Sequence, residues 1–217
     1  MSLGHTLLRQ CSKPSGWLGR LNLRSMNKRH AKLTAWGLTH ITIPKTGTIL
    51  DIGCGGGMTI ARLAAAAPSG KVYGVDYSPT SVAASRDTNK LAVIEGRVDI
   101  REASVSQLPF PDRTFDLVTA IETHYYWPAL CDDMREVLRV LAPGGTFILI
   151  AESYKGGKRD RLLQRLDELQ KRGIMTFAHL TVGEHRQLLE EAGFMDVKVI
   201  EEYDSNWICA SGTRPRS

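Results

Sequence analysis

Residues 49–58 read Ile-Leu-Asp-Ile-Gly-Cys-Gly-Gly-Gly-Met, and no other stretch restricts the fold as strongly. Apolar residues lead into Asp51. Glycines follow at 53, 55, 56 and 57, and an alanine-rich run fills 59–67. The pattern predicts a buried strand, a tight turn and a helix. Glycine has no Cβ, so the turn can adopt positive φ and let a ligand lie against bare backbone. The helix after it aims unpaired N–H groups and a partial positive charge at whatever fills the turn. Open α/β sheets bind ligands at this carboxyl edge.

The loop has no lysine and no Gly-Lys-Ser/Thr ending, so it is not a phosphate-gripping loop. The dinucleotide spacing G-x-G-x-x-G fails at Met58. A carboxylate inside the cradle repels pyrophosphate and attracts a cation. S-adenosylmethionine carries a sulfonium and an ammonium. With its Asp-x-Gly-x-Gly-x-Gly spacing the chain resembles the class I (Rossmann-like) S-adenosylmethionine-dependent methyltransferases, whose first motif this is. On that resemblance Asp51, Gly53, Cys54, Gly55 and Gly57 are expected to hold the cofactor. Cys54 is a small filler of the turn.

The chain has 217 residues, enough for one α/β domain and a small appendage. No apolar run of about 18 residues suggests a membrane span. The cysteines, at 11, 54, 131 and 209, form no C-x-x-C pair, so no metal site or disulfide framework is expected. Such usage suits a reducing compartment, and a cytoplasmic location is the expectation. The net charge of +5 is uneven: the first 50 residues carry eight basic residues and no acid, which leaves −3 for the rest. Three readings are open for this head: a cap over the site, a patch for nucleic acid or membrane, and an organelle-targeting peptide.

Residues 17–26 have helical spacing, and a second helix is predicted over 27–38 with Asn27 as its N-cap. The segment M-N-x-x-H-A-K-L-T-x-W-G-L looks like the head of bacterial methyltransferases of the ubiquinone/menaquinone-biosynthesis type. If it is that head, Asn27 and His30 face the substrate and Trp36 belongs to the enzyme; otherwise His30 and Trp36 simply pack. The strand over 71–76 ends on Asp76, 25 positions after Asp51. A carboxylate there can accept from both ribose hydroxyls, and the resemblance gives Asp76 that role. Tyr77 would flank the adenine. Ser78 before Pro79 is the better helix N-cap, for a helix over 79–92. A strand is predicted over 97–103. After it the family often has Asp or Asn toward the adenine amino group, whereas this chain has Ser104 and then Val105. The run Leu-Pro-Phe-Pro-Asp from residue 108 reads as scaffold.

Residues 115–121 form a near-continuous apolar strand, as a parallel strand covered on both faces should. It ends in Glu122-Thr-His-Tyr-Tyr-Trp-Pro, at the edge that lies beside the methyl donor in this fold. Glu122 is expected near the cofactor, and Tyr125, Tyr126 and Trp127 near a flat or apolar acceptor. His124 alone there can take a proton near neutral pH, so it is the candidate base; the rings could instead merely roof the cofactor.

A helix over 134–141 should stop at residues 142–145, with a strand over 146–151 and a loop over 152–157 on the substrate side. An amphipathic helix is predicted over 159–171. Thr181 and Glu184 form a capping box. Strands over 197–202 and 207–211 make a hairpin.

The resemblance implies a doubly wound α/β fold with seven mostly parallel strands in the order 3-2-1-4-5-7-6. Its last strand is antiparallel, and an N-terminal helical cap lies over the cofactor. Residues 1–44 are read as the basic segment and cap, and 45–217 as the S-adenosylmethionine-binding domain. The expected partner is a small, apolar or aromatic methyl acceptor. An RNA acceptor is the second reading, and a non-catalytic scaffold the third.

Overall fold

The buried strand expected before the glycine turn is Thr48–Ile52 (β1), in a computed structural model that describes residues 13–158 and 179–216. Its residues alternate between two cores. Ile49 faces Leu117 and Ile148 on one side of the sheet, and Leu50 faces Val118 and Phe147 on the other. A strand buried on both faces must be apolar throughout, which is why this one reads without polar alternation until Asp51.

The remaining strands are Lys71–Asp76 (β2), Val98–Glu102 (β3), Phe115–Ile121 (β4), Leu141–Ala151 (β5), Met195–Glu202 (β6) and Trp207–Thr213 (β7). They form one sheet in the expected order, β3-β2-β1-β4-β5-β7-β6. β1 to β5 pair in parallel, and β7 runs antiparallel to both neighbours. Among the described residues the helices are Gly16–Arg29 (α1), Ala31–Leu38 (α2), Met58–Ala66 (α3), Pro79–Thr88 (α4), Lys90–Ile94 (α5), Leu130–Val140 (α6) and Val182–Ala192 (α7). Leu33, Leu63 and Val82 bring α2, α3 and α4 to one face, while Val137 and Leu189 bring α6 and α7 to the other.

Local chemistry explains where elements depart from expectation. Asn27 does not begin a helix: α1 runs through it to Arg29, and the break falls at His30. The Asn27 amide instead reaches across to the carbonyl of Gly56, 3.3 Å away. The helix expected over 79–92 divides at Asn89, whose Nδ2 donates to the carbonyls of Gly57 and Ser85. A side chain that bonds local backbone competes with the helix ladder. Residues 142–145 do not end one element before the next begins. They lie within β5 as a register shift opposite Phe115 and Leu117, with Gly144 at positive φ.

Ser78 caps α4 by accepting from the Ser81 amide, and the Thr181–Glu184 capping box is formed. The cap helices are fastened to the domain. Gly37 of α2 lies so close to Ile150 that a Cβ would collide with it, and Arg62 of α3 donates to the carbonyl of Ala31 at 2.7 Å. The helix expected over 159–171 lies outside the described residues, as do Cys11 and most of residues 1–16.

Candidate functional site

The parallel register sets the site. Asp51 pairs with Gly74 on one side and Thr119 on the other, so it reaches the carboxyl edge in the middle of the sheet. The chain then turns through Gly53 and Gly55, both at positive φ, before α3. At Gly53 the space is taken by Thr123, which a Cβ would strike. At Gly55 the space is open: the nearest side chain is Leu23, 3.7 Å from where a Cβ would be. Bare backbone therefore faces a cavity of about 220 Å³, many times the volume one buried water needs.

Both predicted carboxylates border this cavity and both are buried. Asp51 accepts from the Thr119 hydroxyl at 2.6 Å. Asp76 accepts from the backbone N–H of Gly55 at 3.0 Å and of Ser78 at 2.9 Å, so it braces the glycine turn. Burial pushes the Asp51 carboxyl up to about 7, and the charge of Asp76 adds to the push. Burial also raises Asp76. Two acids held this way in one cavity are relieved by a cation. Cys54 lies in the wall with its thiol pushed well above its usual value by burial, which suits filler rather than a nucleophile.

The cavity also takes in Tyr77, Ser104 and Val105 beyond Asp76, and Glu122, Tyr126 and Trp127 beyond β4. Asn27 and His30 close it from the cap. Burial pushes the Glu122 carboxyl up to about 8, and neighbouring Glu152 pushes the same way. Burial lowers His30, against the opposing pull of neighbouring Glu152.

Three expected site residues do not line the cavity. His124 is fully buried behind it, its ring 4.1 Å from that of Tyr125 and 5.5 Å from that of His185. Burial, then the positive charge His185 would carry, holds it far below its usual range. A base at the methyl acceptor does not fit that position. The 3-10 turn His124–Tyr126 is the reason: it sends His124 and Tyr125 into the core and Tyr126 to the cavity. Tyr125 instead supports Glu122, with its hydroxyl 3.2 Å from Oε1. Gly57 faces Ser85 and Asn89 of the α4 region and starts α3 at positive φ.

Sequence reasoning missed Leu23, Met26 and Thr34 of the cap, which border the cavity, and Glu152 behind Glu122. A readable signal existed for Glu152, because it directly follows β5 at the same sheet edge as Glu122.

The methyltransferase-domain family matches residues 50–149. The chain is 34% identical over 149 residues to the 27-O-demethylrifamycin SV methyltransferase of Amycolatopsis mediterranei, covering 67% of this chain and 53% of that one. It is 33% identical to the demethylmenaquinone methyltransferase of Bacillus licheniformis, covering 58% and 53%. The chain thus spans about half the length of the curated relatives it matches. In fold it is similar to the structure of the complex between the Haloferax volcanii Trm112 methyltransferase activator and the putative methyltransferase. The TM-score is 0.74 at 19% identity, over 89% of this chain and 94% of that one.

Proposed function

We propose that this chain, which carries a class I methyltransferase domain on a Rossmann-like sheet, moves a methyl group from S-adenosylmethionine to a small acceptor under its N-terminal helices. The observation that carries the reading is the open backbone at Gly55 between two buried acids, Asp51 and Asp76, in one cavity. Residues 1–44 are read as head and cap, and the binding domain starts at residue 45.

When bound, the cofactor supplies an electrophilic methyl group that an acceptor takes by in-line displacement. The chain supplies placement. Asp76 would accept from ribose hydroxyls, and Ser104 and Val105 would meet the adenine with Tyr77 beside it. Asp51 would face the cationic amino acid end. The cap residues Leu23, Met26 and His30, together with Tyr126 and Trp127, would hold the acceptor and keep water away. Holding the partners in line can contribute roughly 7–11 kcal/mol without any group that handles protons. The aromatic wall favours an apolar or aromatic acceptor. Relatives named for demethylmenaquinone and 27-O-demethylrifamycin SV point the same way.

Calorimetric titration of the purified protein with S-adenosylhomocysteine should give one site per chain. Methyl transfer from labelled cofactor into fractionated extract should disappear in Asp51→Ala. No binding of either cofactor form would overturn the reading.

A further inference from the structure

Three side chains from three different elements meet at the edge of the cavity, where His30 and Glu122 line the wall and Glu152 lies behind Glu122. His30 closes α1, Glu122 follows β4 and Glu152 follows β5. His30 Nε2 lies 3.9 Å from Glu122 Oε2 and 3.9 Å from Glu152 Oε1, and the three ligand atoms are all within 4.8 Å of one another. These separations are too long for hydrogen bonds. Among the described residues neither carboxylate has an ion pair to lysine or arginine.

The supports around the three atoms leave acceptors pointing inward. Glu122 uses its other oxygen, Oε1, for the Tyr125 hydroxyl and the Glu152 backbone N–H. Oε2 is thereby left toward His30. Arg29 Nε donates to His30 Nε2 at 3.3 Å, so that nitrogen presents a lone pair. Arg29 is exposed and can swing away. The common point thus has three acceptors around it, one nitrogen and two oxygens. An ion bound at about 2.0–2.2 Å draws neighbouring ligands to roughly 3 Å apart. Rotations that move each atom by less than about 1 Å achieve this.

We propose that His30, Glu122 and Glu152 bind one divalent transition-metal ion, with open coordination positions facing the cavity. One imidazole and two carboxylates suit Mn²⁺, Fe²⁺ or Zn²⁺ better than Ca²⁺, whose ligands are all oxygen. The cysteine pattern gave no hint of such a site, because no cysteine takes part. His30 and Glu122 both border the cavity, so the open positions are where an oxygen of the methyl acceptor can bind. That use of the ion rests on the methyl-transfer reading; the binding of the ion does not. It names the acceptor class as a molecule with a metal-binding oxygen, such as a phenol or enol.

The test uses Mn²⁺ added to the full chain and followed by electron paramagnetic resonance of the free ion. One Mn²⁺ should bind per chain. Glu152→Gln and His30→Ala, each checked for an unchanged circular dichroism spectrum, should each weaken it at least about tenfold. An undiminished free-ion signal, or equal binding by the wild type and both variants, overturns the proposal. S-adenosylhomocysteine binding is measured in the same wild-type preparation. If it binds and Mn²⁺ does not, the metal inference falls and the methyl-transfer reading stands; if neither binds, both fall.

Discussion

Thr119 donates its hydroxyl to Asp51 at 2.6 Å, across the β1–β4 pair and out of reach of solvent. This one bond is what the sheet offers a carboxyl that has lost its water. It does not offset burial, since the carboxyl is still pushed up to about 7. The pocket therefore holds a group that gains most when a cation arrives.

The sign of the resulting pH dependence follows directly. Asp51 is raised in the fold relative to about 3.9 in the unfolded chain. Its stabilising contribution is fully present below about pH 4 and is lost as pH rises through 7, by on the order of 4 kcal/mol. Urea midpoints of the ligand-free protein should fall from pH 5 to 8, and Asp51→Asn should flatten that fall. Cofactor affinity should move the other way, rising with pH over the same range with a proton released on binding. Titration calorimetry in buffers of different ionisation enthalpy measures that proton. Equal slopes in the wild type and Asp51→Asn would contradict this assignment.

Two glycines of the same turn should respond differently to alanine. Both sit at positive φ, which costs a residue with a Cβ about 1–2 kcal/mol. At Gly53 the added methyl also strikes Thr123, so Gly53→Ala should lower the melting temperature clearly more than Gly55→Ala. At Gly55 the methyl projects into space left for a ligand. Gly55→Ala should therefore fold, yet bind S-adenosylhomocysteine at least about tenfold more weakly. Thermal melts and calorimetry on the two variants read both effects.

His124 provides a test of chemistry against packing. Neither of its ring nitrogens has a hydrogen-bond partner among the described residues, and it packs on Tyr125 and His185. Phenylalanine is of similar shape and removes two buried polar atoms. His124→Phe should leave kcat/KM for methyl transfer within about threefold of the wild type, and stability equal or higher. A loss of about a hundredfold or more in kcat, with the melting temperature unchanged, would restore the base role.

Asn27 ties the cap to the turn through its 3.3 Å bond to the Gly56 carbonyl. Removing it with Asn27→Ala costs about 1 kcal/mol, the usual net worth of such a bond. That loss should fall on cap closure, so KM should rise about fivefold with little change in kcat, and limited proteolysis near residue 30 should quicken. Unchanged KM and unchanged cleavage would show that the cap is held by its apolar contacts alone.

What the sequence determined by itself is local and periodic. The strand, glycine turn and helix around Asp51, the acid ending β2, the apolar run of β4, the Ser78 and Thr181 caps and the terminal hairpin each carry a pattern within a few residues. The sheet order came with the family resemblance those motifs support, not from the motifs one by one. Only the tertiary structure decided what depends on which way a short irregular turn faces. One residue of rotation in the 3-10 turn sends His124 inward and Tyr126 outward, and no sequence pattern encodes that choice. The meeting of His30, Glu122 and Glu152 is likewise invisible along the chain. Their separations of 92 and 30 positions are closed by sheet register and by a helix laid across the carboxyl edge, where packing of the whole domain sets the distances.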